Sequence, residues 1–68
     1  MSAAEKLVFD EVRACNGISA YMLTIRINRE YGEIFTRKQV SGILQRLRLR
    51  GKVEHFGAWI AKKANHAS

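Results

Sequence analysis

The sequence predicts a small α+β domain, three helices followed by a C-terminal two-stranded β-hairpin, and three observations lead there. Three amphipathic segments each begin at a side chain suited to cap a helix. The helical period then ends at Gly51 and gives way to two short extended runs. The 68 residues allow one core and no more. Hydrophobic residues make up 47% of the chain, which sets it among folded rather than disordered sequences.

The first segment opens with Ser2-Ala3-Ala4-Glu5, a capping box in which the Ser2 hydroxyl accepts the Glu5 amide and the Glu5 side chain reaches back. Ala4, Val8, Val12 and Cys15 recur at helical spacing, with Leu7 and Phe9 widening the stripe. Asn16-Gly17 supplies residues that tolerate positive φ, so a helix is expected over residues 3–15. Ile18 is a short apolar link and Ser19 the next cap. Residues 20–30 carry Leu23 and Ile27 on one stripe, which Tyr31 continues, with Met22 beside it, while Arg26, Asn28, Arg29 and Glu30 fall largely on the other side. Tyr21 and Ile25 sit off the stripe, so the second helix is buried on two sides or leaves apolar surface. Tyr31-Gly32 ends it.

The third segment has the most regular pattern. Thr36-Arg37-Lys38-Gln39 is a second capping box, and Val40, Ile43, Leu44 and Leu47 follow at i, i+3, i+4 and i+7. At about 100° per residue the opposite face is centred on Lys38, Gly42 and Gln45. Arg37, Ser41 and Arg48 lie to one side of that face and Arg46 to the other; Leu49 also points outward, which the core pattern does not explain. Gly51 stops the helix. The runs 52–55 and 58–62 then flank Phe56-Gly57, a hairpin tip. A two-residue turn would put Val53 opposite Ile60, both toward the core; a three-residue loop would put His55 opposite Trp59. A slip of one residue exchanges the faces, and both registers remain open. The domain is expected to span 1–63, with 64–68 a frayed tail.

Charge divides the chain. Residues 1–34 carry Lys6, Arg13, Arg26 and Arg29 against Glu5, Asp10, Glu11, Glu30 and Glu33, whereas residues 35–68 carry eight basic side chains and only Glu54 as an acid, a net of +7. A basic half beside a near-neutral one is the footprint of a polyanion binder. The single cysteine excludes an internal disulfide or a cysteine metal cluster. No apolar run approaches the ~20 residues of a membrane span, and residues 1–5 lack a signal-peptide profile, so a cytoplasmic location is expected, with no membrane partner. Enzymatic readings fare badly. His55 and His66 are the only histidines, Cys15 lies in the core stripe, and no spacing joins a nucleophile to a base. Neither cofactor, metal nor small-molecule substrate is expected.

Helix, helix, turn, helix and hairpin, with basic charge on the last helix and hairpin, resembles the winged helix-turn-helix family. The resemblance runs from Ser19 to Lys63 and is carried by Val40, Ile43, Leu44, Leu47, Gly51 and Val53, whose spacing looks like the family's recognition helix running into its first wing strand. Helix 1 extends the match over most of the chain. The connection from Tyr31 to Thr36 is longer than the tightest helix-turn-helix link and ordinary for winged helices. One branch of the family binds left-handed duplexes with an Asn and a Tyr on that helix and prolines in the wing. Ser41 and Gln45 occupy the matching positions here and the chain has no proline, so that activity is not expected.

The resemblance implies duplex DNA as partner, and the residues fit. Arg37 and Lys38 sit where a recognition helix enters the major groove, and Ser41 and Gln45 can donate to or accept from base edges. Arg48, Lys52, His55, Lys62 and Lys63 suit phosphates. Gly42, on the outer face, is read either as a point of close backbone approach or as a residue that packing merely tolerates. Phe56 either meets the minor groove or packs over the hairpin, and Trp59 is assigned to the core. The expectation is a small transcriptional regulator or DNA-architecture factor of bacterial or phage type, nucleoid-associated when bound. It would be a monomer in dilute solution that pairs as a homodimer or multimer on DNA. The alternative is a winged-helix interaction module docking on an acidic protein, with Tyr21, Ile25, Leu49 and Phe56 supplying apolar contact.

Overall fold

Each helix starts where a hydroxyl side chain replaces a missing backbone partner. The computed structural model describes residues 1–15 and 17–62. It contains α1 (Ala3–Ala14), α2 (Ala20–Tyr31), α3 (Arg37–Leu49), β1 (Val53–His55) and β2 (Trp59–Ala61), in that order. This is the α+β arrangement expected, three helices and then a two-stranded antiparallel hairpin, and it matches a winged-helix layout. The parts assigned above to Asn16, Lys63 and residues 64–68 lie outside the described residues.

Both capping boxes form. Ser2 Oγ accepts the Glu5 amide at 3.1 Å while the Glu5 carboxylate accepts the Ser2 amide at 2.9 Å. Thr36 and Gln39 exchange the same pair of bonds at 3.1 and 2.8 Å, and Ser19 caps α2 through the Met22 amide. Each box satisfies two amides that a helix start leaves without partners. At the other end of α3, the Gly51 amide donates to the Arg48 carbonyl and the Lys52 amide to the Leu47 carbonyl, both at 2.9 Å. Gly51 stands at φ +72°, the left-handed conformation that this double-bonded helix ending requires.

The core gathers Val8 and Val12 from α1, Leu23 and Ile27 from α2, all four stripe residues of α3, and Ile18, Val53 and Trp59. α3 packs against α1, α2 and β1, which makes it the central element. Two residues read onto the α2 stripe are not in the core: Tyr31 and Met22 are each about half exposed. Tyr31 is the last residue of its helix, and the chain turns away at Gly32. Met22 is a full helical step of ~100° from Leu23. Thr24 is buried on that face instead, its hydroxyl donating to the Ala20 carbonyl at 2.7 Å, so the buried hydroxyl has its partner.

The hairpin adopts the three-residue loop. Val53 pairs with Ala61, Glu54 with Ile60 and His55 with Trp59, and the Phe56 amide closes the tip on the Ala58 carbonyl at 3.0 Å. The chosen register turns Val53 and Trp59 to the core together, whereas the two-residue turn would have buried Ile60 and exposed the indole. Burying the larger apolar surface decides it. Ile18 then does more than link two helices: its amide donates to the Trp59 carbonyl at 3.1 Å and its carbonyl accepts the Trp59 amide at 2.7 Å.

Glu5 ties the C-terminal end of α3 to α1. It is 5% exposed, and besides the Ser2 amide it accepts Arg46 Nε and Arg50 Nη1, each at 3.2 Å. The Ser2 amide is the largest cause holding its carboxyl down from the ordinary 4.5 to about 2; burial opposes this, and the Arg46 hydrogen bond and the Arg50 charge add to it. Between those two values the unfolded chain takes up a proton that the folded one refuses. The stabilisation is therefore complete above about 4.5 and lost as the pH falls to about 2. Glu5→Gln is accordingly expected to unfold at a lower temperature than the parent near neutral pH, with the gap closing as the pH falls. Thermal melts across the acid range measure this; a gap independent of pH would mean the charge does nothing special.

Candidate nucleic-acid interface

With Val40, Ile43, Leu44 and Leu47 buried, α3 is held from behind and its other face is free. That face carries Lys38 and Gln45 exposed, with Ser41 and Gly42 half-buried between them, and ends at Leu49, which is 84% exposed. The outward position read for Leu49 is therefore where it lies. A Cβ built on Gly42 would meet only the Arg46 guanidinium, at an ordinary 3.9 Å. Internal packing thus gives no reason for a glycine in mid-helix, where it costs about 1 kcal/mol relative to alanine.

The start of α3 is unusually positive. Its first turn holds Arg37 and Lys38 and no acid, although the N-terminal end of a helix favours anions by roughly 0.3–1 kcal/mol each and disfavours cations. The capping box is closed by the neutral Gln39. Arg37 lies over the Tyr21 ring, 5.9 Å from its centre, so the half-exposed phenol at the start of α2 joins this surface. Asn28 fixes the approach to the cap: its side-chain carbonyl accepts the Ile34 and Phe35 amides at 3.1 Å, and its amide donates to the Phe35 carbonyl at 2.8 Å. The sequence reading missed both roles. Asn28 sits among polar neighbours without a distinguishing pattern, and the Tyr21–Arg37 contact joins separate helices.

A second basic surface lies where α3 runs into the hairpin. Arg48, His55, Phe56 and Lys62 line a groove of about 280 Å³ together with Gly51, Val53 and Glu54. The His55 ring packs on Trp59 with centroids 4.5 Å apart, so the buried indole holds the imidazole at the groove. Lys62 stands a loose 3.9 Å from Glu54 with both side chains about half exposed, a pair worth little in energy. Phe56 does not pack over the hairpin; it is 72% exposed. Lys52 is exposed at the turn from α3 into β1.

Ion pairing divides the cations of α3 and the hairpin. Among the described residues Arg46 and Arg50 pair with Glu5 and Lys62 loosely with Glu54, while Arg37, Lys38, Arg48 and Lys52 form no ion pair. Among the described residues of the other half, Lys6 pairs with Asp10 and Arg26 with Glu11, and Arg13 and Arg29 form none. The structure therefore brings Arg37, Lys38, Ser41 and Gln45 to one helix face and Arg48, His55 and Lys62 to the adjoining groove. Lys63 lies outside the described residues. Among those residues no helix is long and apolar enough to cross a membrane. Comparison with family models, curated protein sequences and solved structures returned no match, so the functional reading rests on these side chains.

Proposed function

We propose that the protein binds duplex DNA, with the outer face of α3 in the major groove and the hairpin on the adjacent backbone, as a small transcriptional regulator or DNA-architecture factor. The observation that carries this reading is the division of α3: a rigidly buried stripe on one side, and on the other Lys38, Ser41 and Gln45 around a glycine that the fold itself does not need. A helix that reads base edges requires both halves, a fixed seat and small donors able to come close. The unpaired cations Arg37, Lys38, Arg48 and Lys52 supply phosphate contacts around it. Pairing of two copies on adjacent half-sites belongs to the same reading, since one domain of this size covers a short site; sedimentation of the complex reports it.

Selection of bound sequences from random duplexes tests the proposal. Gln45→Ala is expected to relax base preference at one or two positions, by about 1–3 kcal/mol of discrimination. Lys62→Ala should weaken all sequences alike. A uniform loss in both variants would mean that α3 does not read bases. Absence of duplex binding at low salt would instead favour docking on an acidic protein.

Gly42→Ala separates folding from binding at one position. The new methyl has room within the chain, so the variant should be more stable by about 1 kcal/mol in denaturant unfolding. Its affinity for the selected duplex should fall, because the methyl projects from the surface that approaches the bases. Unchanged affinity would remove Gly42 from the contact.

A further inference from the structure

The tip of the hairpin carries an aromatic ring that the other described residues leave largely uncovered. Phe56 is 72% exposed, yet its backbone is braced: its amide is bonded to Ala58, it follows the His55–Trp59 pair, and Trp59 is bonded in turn to Ile18. Phe56 lines the same groove as Arg48, His55 and Lys62. Cations there draw in a polyanion, so whatever Phe56 meets carries charged backbone and must offer an apolar surface beside it. A duplex has that combination in its minor groove, where sugars and the edges of stacked pairs lie between two phosphate walls.

We infer, resting on the duplex-binding reading above, that Phe56 enters the minor groove beside the α3 site and wedges into a base step, bending the DNA. Apolar side chains inserted in this way unstack a step and kink the duplex toward the major groove, and flexible pyrimidine–purine steps yield most readily. The bend would carry the backbone onto Arg48 and Lys62. Phe56 adds no phosphate contact of its own, so its contribution is independent of salt, unlike that of the cations around it.

Energy transfer between the ends of labelled duplexes several helical turns long, carrying the selected site beside a TA step, measures the bend, and gel shifts across a salt series measure affinity. The parent complex is expected to be bent by about 20–90°. Phe56→Ala should leave the thermal midpoint unchanged, abolish the bend, and weaken binding by up to about tenfold with the same salt slope. Phe56→Leu should keep part of the bend, and Phe56→Lys should steepen the salt slope without restoring it. A straight parent complex, or an equal bend with Phe56→Ala, overturns the wedge and leaves duplex binding standing. Failure of the parent to bind duplex at low salt overturns both.

Discussion

Raising salt from about 50 to about 200 mM is expected to weaken duplex binding a few hundredfold. The basic half of the chain alone suggests up to seven contacts, but the structure reduces that number. Glu5 engages Arg46 and Arg50, leaving Arg37, Lys38, Arg48 and Lys52 unpaired among the described residues and Lys62 held only loosely at 3.9 Å. Four or five neutralised phosphates give a slope of log affinity against log salt of about −4, since each contributes roughly −0.9. A fourfold change in salt then costs more than two decades. Arg37→Ala or Arg48→Ala should each make the slope shallower by about one unit. A flat response would remove the DNA reading, because none of the argued contacts would then be to phosphate.

Leu44→Ala is expected to cost about 2–5 kcal/mol of stability. Leu44 is fully buried on the central helix, among residues from the other elements, so little can collapse into the space left behind. Domains carry roughly 0.05–0.15 kcal/mol of stability per residue, or about 3–10 kcal/mol at this length. Much of that would be gone. The thermal midpoint should fall by about 10 °C or more, and DNA affinity with it as the folded fraction drops. Urea unfolding of the parent and the variant measures the difference. A shift comparable to that of an exposed substitution would mean that α3 is not the central element.

The parts of this molecule legible in the sequence are those set by neighbours along the chain. Both capping boxes and the α3 stripe involve residues three to seven apart, and they form as read. The glycine ending α3 is local too. What escaped reading depends on tertiary partners. Glu5 was legible as a cap, yet it also lies three and seven residues before Val8 and Val12, on the buried stripe, a signal that would have put its carboxylate inside. The hairpin register turned on whether Trp59 or Ile60 is buried; the assignment of Trp59 to the core already pointed to the register that forms, but the pattern of the two short strands by itself fits either. Within the candidate site, the outward residues of α3 follow from its inward ones. The pairing of Arg46 and Arg50 with Glu5, which separates occupied from unoccupied cations, joins residues about forty positions apart and leaves no local trace.

The bridge between Ile18 and Trp59 has a kinetic consequence. Its two backbone bonds close a loop of roughly forty residues, and that closure must be met before the contact returns anything. The helices can form through local bonds beforehand, but the hairpin cannot dock until the α1–α2 link is in register. Hairpin and link therefore lock in one step, the one that closes the core around Ile18 and Trp59. In hydrogen exchange the Ile18 and Trp59 amides should stay protected until the molecule opens as a whole, while amides in the exposed turns exchange early. A hairpin fastened in this way moves only with the helices, so its tip is delivered to a partner at a fixed distance from α3.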